Sequence, residues 1–436
     1  MTDLMIGFSG VAVAVLLILA RIPIAVALTS VSFVGILILL GERAAYGILS
    51  AVVYDFVANW TLTSIPMFLL MGFVCFHAGL TRGLFNTCRV WLSGLPGGLA
   101  ITSVVGAAGF ATVTGSSVAT AAAMGRIAVP EMLRLGYKPE LATGCIAAAG
   151  TIGALIPPSI LLILFGVFTQ TPVSLLFLGG VGAGLLTTIA YIAVILLRVK
   201  LNPSLAPRST VPISREERRQ AMRETWPTLL LIAIAFGGLF SGIFTATEAG
   251  AVGAFASFIV AALNRSLNRS VVWNSIVETT VTTASIFVIT IGANLLTRFL
   301  SLSDVATVLS KTIAGFGAEP WMLAIGLTCL YMVLGLILEP IGAMLLTLPV
   351  VLPVMEASDA SFIWYGVLIV KLLEMGMITP PVGLNVFVVK SVVGNQVSTT
   401  QIFRGIWWFL MIDFVVVGLM IAFPGLVTGL PNLIGN

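Results

Sequence analysis

Residues 141–168 read LATGCIAAAGTIGALIPPSILLILFGVF, and residues 362–389 read FIWYGVLIVKLLEMGMITPPVGLNVFVV. Each is long and apolar enough to cross a bilayer, since about 20 residues at 1.5 Å rise span the roughly 30 Å hydrocarbon core. Each is also interrupted, by Gly150-Thr151-Ile152-Gly153 with Pro157-Pro158 in the first and by Met375-Gly376 with Thr379-Pro380-Pro381 in the second. A gap-free shift of 223 residues lays Pro157-Pro158 on Pro380-Pro381, Gly153 on Gly376, Leu161 on Leu384, Pro130 on Pro353 and Met132 on Met355. Paired breaks at one register predict a duplicated helical membrane protein.

Composition points the same way. Of 436 residues, 59% are apolar and 9% charged, against roughly 45–50% and about 25% in a soluble domain, which excludes a soluble enzyme. The net charge of +4 comes from Lys and Arg placed beside hydrophobic segments, where they orient helices; no basic nucleic-acid patch is present. Cys75, Cys88, Cys145 and Cys329 show neither a CxxC pair nor metal-ligand spacing, and His77 is the single histidine, so a zinc, haem or iron–sulfur site is not expected. Leu4–Ala20 lacks a preceding basic region and a small-residue cleavage site, and reads as a first span rather than a signal peptide.

Further spans are expected at Ile22–Leu40, Ile65–Leu80, Leu141–Phe168, Val173–Leu197, Thr228–Phe244, Ala249–Leu263, Ile276–Leu296, Phe362–Val389 and Ile406–Phe423. Two other apolar stretches, residues 99–132 and 321–355, are broken at Thr114-Gly115-Ser116-Ser117 and at Glu339-Pro340-Ile341-Gly342. Their arms are too short to cross comfortably, so both read as re-entrant hairpins. With the N-terminus outside, 17 of the 21 Lys and Arg residues face the cytoplasm, including Arg82 and Arg208, as the positive-inside rule demands. The expected architecture is an all-α polytopic membrane protein of two inverted repeats, each with five transmembrane helices and one hairpin. The repeats cover residues 1–197 and 228–436, joined by a cytoplasmic linker at 198–227, and both termini are periplasmic.

Irregular backbone at membrane depth survives only where protein buries it or a cavity needs it. The hairpin tips and the interrupted spans supply freed carbonyls and hydroxyls suited to Na⁺, while helix N-termini after each break suit an anion. Two cation sites flanking one anion site follow, with Gly115, Ser116, Pro157, Pro340 and Pro380 around the anion. Lys371 and Glu374 lie three apart on one helix and read as a structural ion pair, with Glu374 supporting the adjacent break. Arg298, at the outer end of its span, is a candidate for a substrate carboxylate, with snorkelling the plainer reading. Trp60, Trp226, Trp321, Trp407 and Trp408 read as interfacial anchors.

The segments TGSSVATAAAMGRIAVPEM, YKPELATGCIAAAGTIGALIPPSILLILFG, LGLILEP and LEMGMITPPVGLNVFVVKS resemble the large membrane subunit of tripartite ATP-independent periplasmic (TRAP) transporters. The resemblance covers nearly the whole chain. It implies Na⁺-driven uptake of an organic anion, usually a carboxylate, across the cytoplasmic membrane of a prokaryote. A small four-helix membrane subunit and a periplasmic substrate-binding protein are the implied partners, and a transport domain moves past a fixed scaffold in an elevator-type cycle. The first Na⁺ site would fall on Ser116, Ser117, Gly150, Thr151 and Gly153, and the second on Glu339, Gly376 and Thr379. Two positions depart from the family pattern: Glu339 stands where Asp is common, and Leu372 where Asn is common.

Two other readings compete. A stand-alone ion-coupled carboxylate transporter would share the repeat plan without a binding protein. An intramembrane serine hydrolase would use Ser117 as nucleophile and His77 as base, and would need the two within hydrogen-bond reach.

Overall fold

Apolar runs punctuated by Gly, Pro and capping hydroxyls fold into helices, and among the described residues every regular element is helical. The structure, a computed structural model, describes residues 2–207, 214–315, 319–358 and 360–434, without the side chains of residues 82, 310, 313 and 314. The first half comprises α1 (Asp3–Leu19), α2 (Ile24–Leu40), α3 (Glu42–Val57), α4 (Ser64–His77), α5 (Arg82–Leu92), α6 (Gly98–Thr114), α7 (Ser117–Arg134), α8 (Pro139–Thr151), α9 (Ile160–Thr169) and α10 (Val173–Leu201). The second comprises α11 (Arg215–Phe240), α12 (Ala246–Leu263), α13 (Arg269–Leu302), α14 (Val305–Gly315), α15 (Pro320–Gly335), α16 (Pro340–Glu356), α17 (Phe362–Gly376), α18 (Leu384–Val393), α19 (Thr399–Ala422) and α20 (Gly425–Ile434). Moved by 223 residues, the starts of α7 and α8 fall on the starts of α16 and α17.

Among the described residues, five stretches are long and apolar enough to cross a membrane as single helices: Trp60–His77, Val173–Leu201, Ala246–Leu263, Arg269–Leu302 and Thr399–Ala422. The expected spans at 141–168 and 362–389 are each two short helices, α8 with α9 and α17 with α18, separated by the Pro-Pro segments. The two expected hairpins correspond to α6–α7 and α15–α16.

Some boundaries move for local reasons. Pro23 precedes the first residue of α2, so that helix starts at Ile24. The expected linker at 198–227 is largely helical: α10 runs to Leu201, and α11 begins at Arg215 instead of Thr228. A capping box starts α11, with the Ser214 hydroxyl accepting from Glu217 N (3.1 Å) and the Glu217 carboxylate accepting from Ser214 N (3.0 Å). Arg208 and the Arg82 side chain, both counted in the charge census, lie outside the described residues.

Packing divides into two apolar clusters. The smaller joins α1, α2, α3, α13 and α14 to Leu345 and Leu346 of α16. Phe299 of α13 lies against Gly10 of α1 and Gly35 of α2, where an added Cβ would stand 2.5 and 2.2 Å from its ring. The larger cluster holds both hairpins, both interrupted spans, α4, α10, α12 and α19. Within it α8 and α19 touch backbone to backbone: a Cβ on Gly405 would meet Glu140 O at 1.8 Å. Trp60, Trp226, Trp321, Trp407 and Trp408 are all exposed, as residues anchoring a bundle in a bilayer interface would be.

Candidate functional site

The tip of the first hairpin is built by a left-handed turn. Gly115 (φ 61°) ends α6, and Ser116 in extended conformation caps α7, its hydroxyl accepting from Ala119 N at 3.4 Å. A side chain at Gly115 would collide with Pro158 O at 1.9 Å, so this tip rests directly on the α8–α9 interruption. Ser116 O accepts from both the backbone N (3.0 Å) and the hydroxyl (2.8 Å) of Thr120.

Two glycines let α8 reach this tip. A Cβ on Gly150 would stand 2.8 Å from Ala121 Cβ and 3.2 Å from Ser117 O, and one on Gly153 would stand 2.8 Å from Ser116 O. α8 remains helical through Gly150 and Thr151, and a 3-10 turn over Ile152–Ala154 continues it, so the irregular chain lies later than expected, at Leu155–Ser159. Ser159 then caps α9, accepting from Leu162 N at 3.2 Å.

The second tip has a different cap. Glu339 is the residue before Pro340, the first residue of α16, and its side chain makes no capping hydrogen bond. Behind it α15 and α17 cross at Gly335 and Gly376, where a Cβ on Gly376 would meet Gly335 Cα at 2.6 Å. The Thr379 hydroxyl donates to Met375 O at 2.7 Å, inside the turn that follows α17.

Both tips open on one cavity of about 180 Å³ lined by Gly115, Ser116, Ser117, Val118, Ala154, Ile160, Leu161, Glu339, Pro340, Ile341, Glu374, Met377 and Leu384. Of the residues assigned from sequence, Gly115, Ser116, Ser117, Glu339 and Pro340 therefore share a wall. Gly150, Thr151, Gly153, Gly376 and Thr379 form the shell behind it, and Pro157 and Pro380 stand in the interruptions without lining the cavity. Arg298 is elsewhere. It lines a separate cavity of about 220 Å³ with Asp55, Asn59, Gln170, Asn294 and Thr297, because the C-terminal part of α13 faces α3 and the end of α9.

The expected Lys371–Glu374 ion pair is not formed. Lys371 pairs instead with Asp413 of α19, and both side chains are fully buried. Three residues turn a helix by about 300°, which suffices here to aim Lys371 at α19 and Glu374 at the first hairpin. Glu374 accepts a hydrogen bond from the Ser117 hydroxyl at 2.5 Å. With Lys371 matched by Asp413, the Glu374 carboxylate has a hydroxyl for a partner and no countercharge of its own among the described residues.

Two groups here stand outside what the sequence led us to expect. Asp413 lies in the last long apolar helix and received no role, although an acidic residue mid-span is itself a signal. Asn385, at the start of α18, is fully buried; its Nδ2 donates to Ala147 O at 3.3 Å, and its Oδ1 has no hydrogen-bond partner among the described residues. His77 stands 3.2 Å from Glu278 on α13, while the Ser117 hydroxyl is committed to Glu374. The serine–histidine arrangement of a hydrolase is not assembled.

Two hairpin tips and two interrupted helices meeting around one cavity fit a polytopic membrane transporter. The chain belongs to the family described as "Tripartite ATP-independent periplasmic transporter, DctM component", whose model matches residues 11–426. It is 33% identical over 380 residues to the C4-dicarboxylate TRAP transporter large permease protein DctM of Pseudomonas aeruginosa, covering 86% of this chain and 87% of that one. It is 28% identical over 351 residues to the isethionate TRAP transporter permease protein DctMQ of Oleidesulfovibrio alaskensis, covering 80% of this chain and 54% of that longer one. The fold is similar to the crystal structure of the YdaH transporter of Alcanivorax borkumensis, with TM-score 0.65, 16% identity, and 89% and 91% of the two chains covered. The protein is thus a large TRAP permease subunit, integral to the inner membrane, and not an enzyme.

Proposed function

We propose that this permease takes up a small organic anion, a carboxylate, together with Na⁺, using the cavity between the two hairpin tips. The observation that carries the reading is the Glu374 carboxylate, buried against Ser117 with no matching positive charge among the described residues. A buried charge is costly unless it is paired. A cation among Ser116, Ser117, Gly150, Thr151 and Gly153 supplies that pair, with the open Asn385 Oδ1 as a further hard oxygen. A second cation belongs near Glu339, Gly376 and Thr379. The anion then lies between them, against Gly115, Ser116 and Pro340, with Pro157 and Pro380 ending the helical segments behind it. Na⁺ and anion bind cooperatively, because each offsets the charge of the other.

The equal spacing of helices supports two inverted repeats, 1–197 and 228–436, joined across 198–227, and an elevator-type movement of the hairpins past α1, α2 and α13. The charge census supports periplasmic termini. With that orientation α3 and α14 would belong to the periplasmic side and offer a seat for the binding protein, while a small four-helix subunit completes the complex. Relatives named for a dicarboxylate and for the sulfonate isethionate frame the substrate test.

The experiment is uptake into proteoliposomes holding the permease and small subunit, with purified binding protein outside. Uptake of a bound carboxylate should require an inward Na⁺ gradient and the binding protein. Uptake driven equally by a pH gradient without Na⁺ would refute the coupling. Transport without the binding protein would favour the stand-alone reading, and preference for isethionate would move the substrate to sulfonates.

A further inference from the structure

Behind the proposed first cation site runs a chain of buried polar groups that transport chemistry does not itself require. Lys371 Nζ pairs with Asp413 Oδ1. The other carboxylate oxygen, Oδ2, accepts from the Tyr191 hydroxyl at 2.7 Å. The Tyr191 oxygen lies 3.2 Å from Thr151 Oγ1, and Thr151 can also donate to Ala148 O at 2.6 Å. Lys371, Asp413, Tyr191 and Thr151 are all fully buried, and the Lys371 ammonium lies 5.6 Å from the centre of the Tyr191 ring. Phe409 also packs edge to face with that ring, with centroids 5.2 Å apart. Four helices, α8, α10, α17 and α19, are tied by this chain.

Proton direction is what the arrangement fixes. A tyrosine hydroxyl has one hydrogen and a carboxylate has none to give. Asp413 therefore takes the Tyr191 hydrogen, and the Tyr191 oxygen can only accept from Thr151. Thr151 then keeps its own lone pairs unoccupied, whether its hydrogen points to Tyr191 or to Ala148 O. Without Asp413 the Tyr191 hydrogen turns toward Thr151 and occupies one of those lone pairs. Lys371 matters because its ammonium, paired with Asp413, favours the charged, acceptor-only carboxylate.

We propose that Lys371, Asp413 and Tyr191 are positioning residues that hold Thr151 as an open oxygen ligand for the coupling cation. This rests on the reading that Thr151 belongs to a Na⁺ site. It adds a specific cause for a buried ion pair that a purely apolar contact could otherwise replace.

The test compares the Na⁺ dependence of uptake in four reconstituted complexes: wild type, Lys371→Met with Asp413→Leu, the same pair with Tyr191→Phe added, and Lys371→Leu with Asp413→Met. The last also removes every acceptor at position 413, packs the space differently and serves if the first apolar pair folds poorly, with Tyr191→Phe added to it in the same way. Either double variant should raise the Na⁺ concentration for half-maximal uptake about five- to tenfold, the weight of one hydrogen bond, with the maximal rate at saturating Na⁺ preserved. Adding Tyr191→Phe removes the competing donor and should bring the Na⁺ requirement back toward wild type. Unchanged Na⁺ dependence in the folded double variant overturns the proposal. So does a triple variant no better than the double, because a merely structural network cannot be rescued by a further deletion. Wild-type uptake indifferent to Na⁺ removes the cation-site reading itself, a result distinguishable from both.

Discussion

Ser117 and Glu374 are separated by 257 positions in the chain and joined by one hydrogen bond across the cavity floor. One opens the second arm of the first hairpin and the other closes the first arm of the second interrupted span, so this contact fastens the two halves at the place where ligand would sit. A hydroxyl that gives its hydrogen to a carboxylate keeps its lone pairs for a cation, and the carboxylate supplies the charge.

Removing either partner separates those contributions. Ser117→Ala should keep the fold and raise the Na⁺ concentration for half-maximal uptake roughly fivefold, about the value of one neutral hydrogen bond. Glu374→Gln keeps the shape and loses the charge, so its effect should be larger, on the order of tenfold or more for a charged partner. Initial uptake rates across a Na⁺ series measure both. Equal, small effects would mean that the pair holds the hairpin without touching the ion.

The close crossings have a steric signature. Gly376→Ala places a methyl group 2.6 Å from Gly335 Cα, where backbone cannot yield as a flexible side chain would. Overpacking of this kind costs about 1–3 kcal/mol, and a thermal-aggregation assay in detergent should register it as a lower midpoint. Gly326→Ala in α15 is the control, since nothing lies within 4 Å of an added Cβ there; its midpoint should match or slightly exceed that of the unaltered protein, because Ala is the better helix former.

Arg298 should behave unlike either group. Its cavity shares no lining residue with the one between the tips, so Arg298→Gln is expected to leave the Na⁺ dependence of uptake as it was. If the anion passes this guanidinium on its way inward, the variant should need a few times more substrate-loaded binding protein for half-maximal uptake, and the difference should shrink as salt is added. A shifted Na⁺ requirement would instead couple Arg298 to the cation sites.

Periodicity and punctuation made the architecture legible. Pro157-Pro158 and Pro380-Pro381 announced the interrupted spans, and Gly115-Ser116-Ser117 and Glu339-Pro340 announced the tips, because a broken backbone inside an apolar run is tolerated only where protein or a cavity satisfies it. The pairing of side chains was harder to read. Lys371 and Glu374 share a helix three residues apart, which is the local signal for an ion pair, yet the nearest partner for Lys371 lies 42 positions away on α19. Asp413 drew no reading, because its partners Tyr191 and Lys371 stand on other helices. Asn385 follows the second Pro-Pro and drew no reading, because Gly150, the residue it faces, lies in the other half of the chain. Local patterns report where a helix breaks; only tertiary packing decides what each break meets.

The unmatched carboxylates also have an electrical consequence. Lys371 and Asp413 cancel, so the charge of the unloaded cavity is set by Glu374 and Glu339 and reaches at most two negative charges. Each elementary charge moved through the full field is worth about 2.3 kcal/mol per 100 mV. If the hairpins move as proposed, the field of a cell with a negative interior would push the unloaded cavity outward and resist the same movement in reverse. The membrane voltage would then reset the transporter between turnovers, while cations occupying the cavity would release it for the inward stroke.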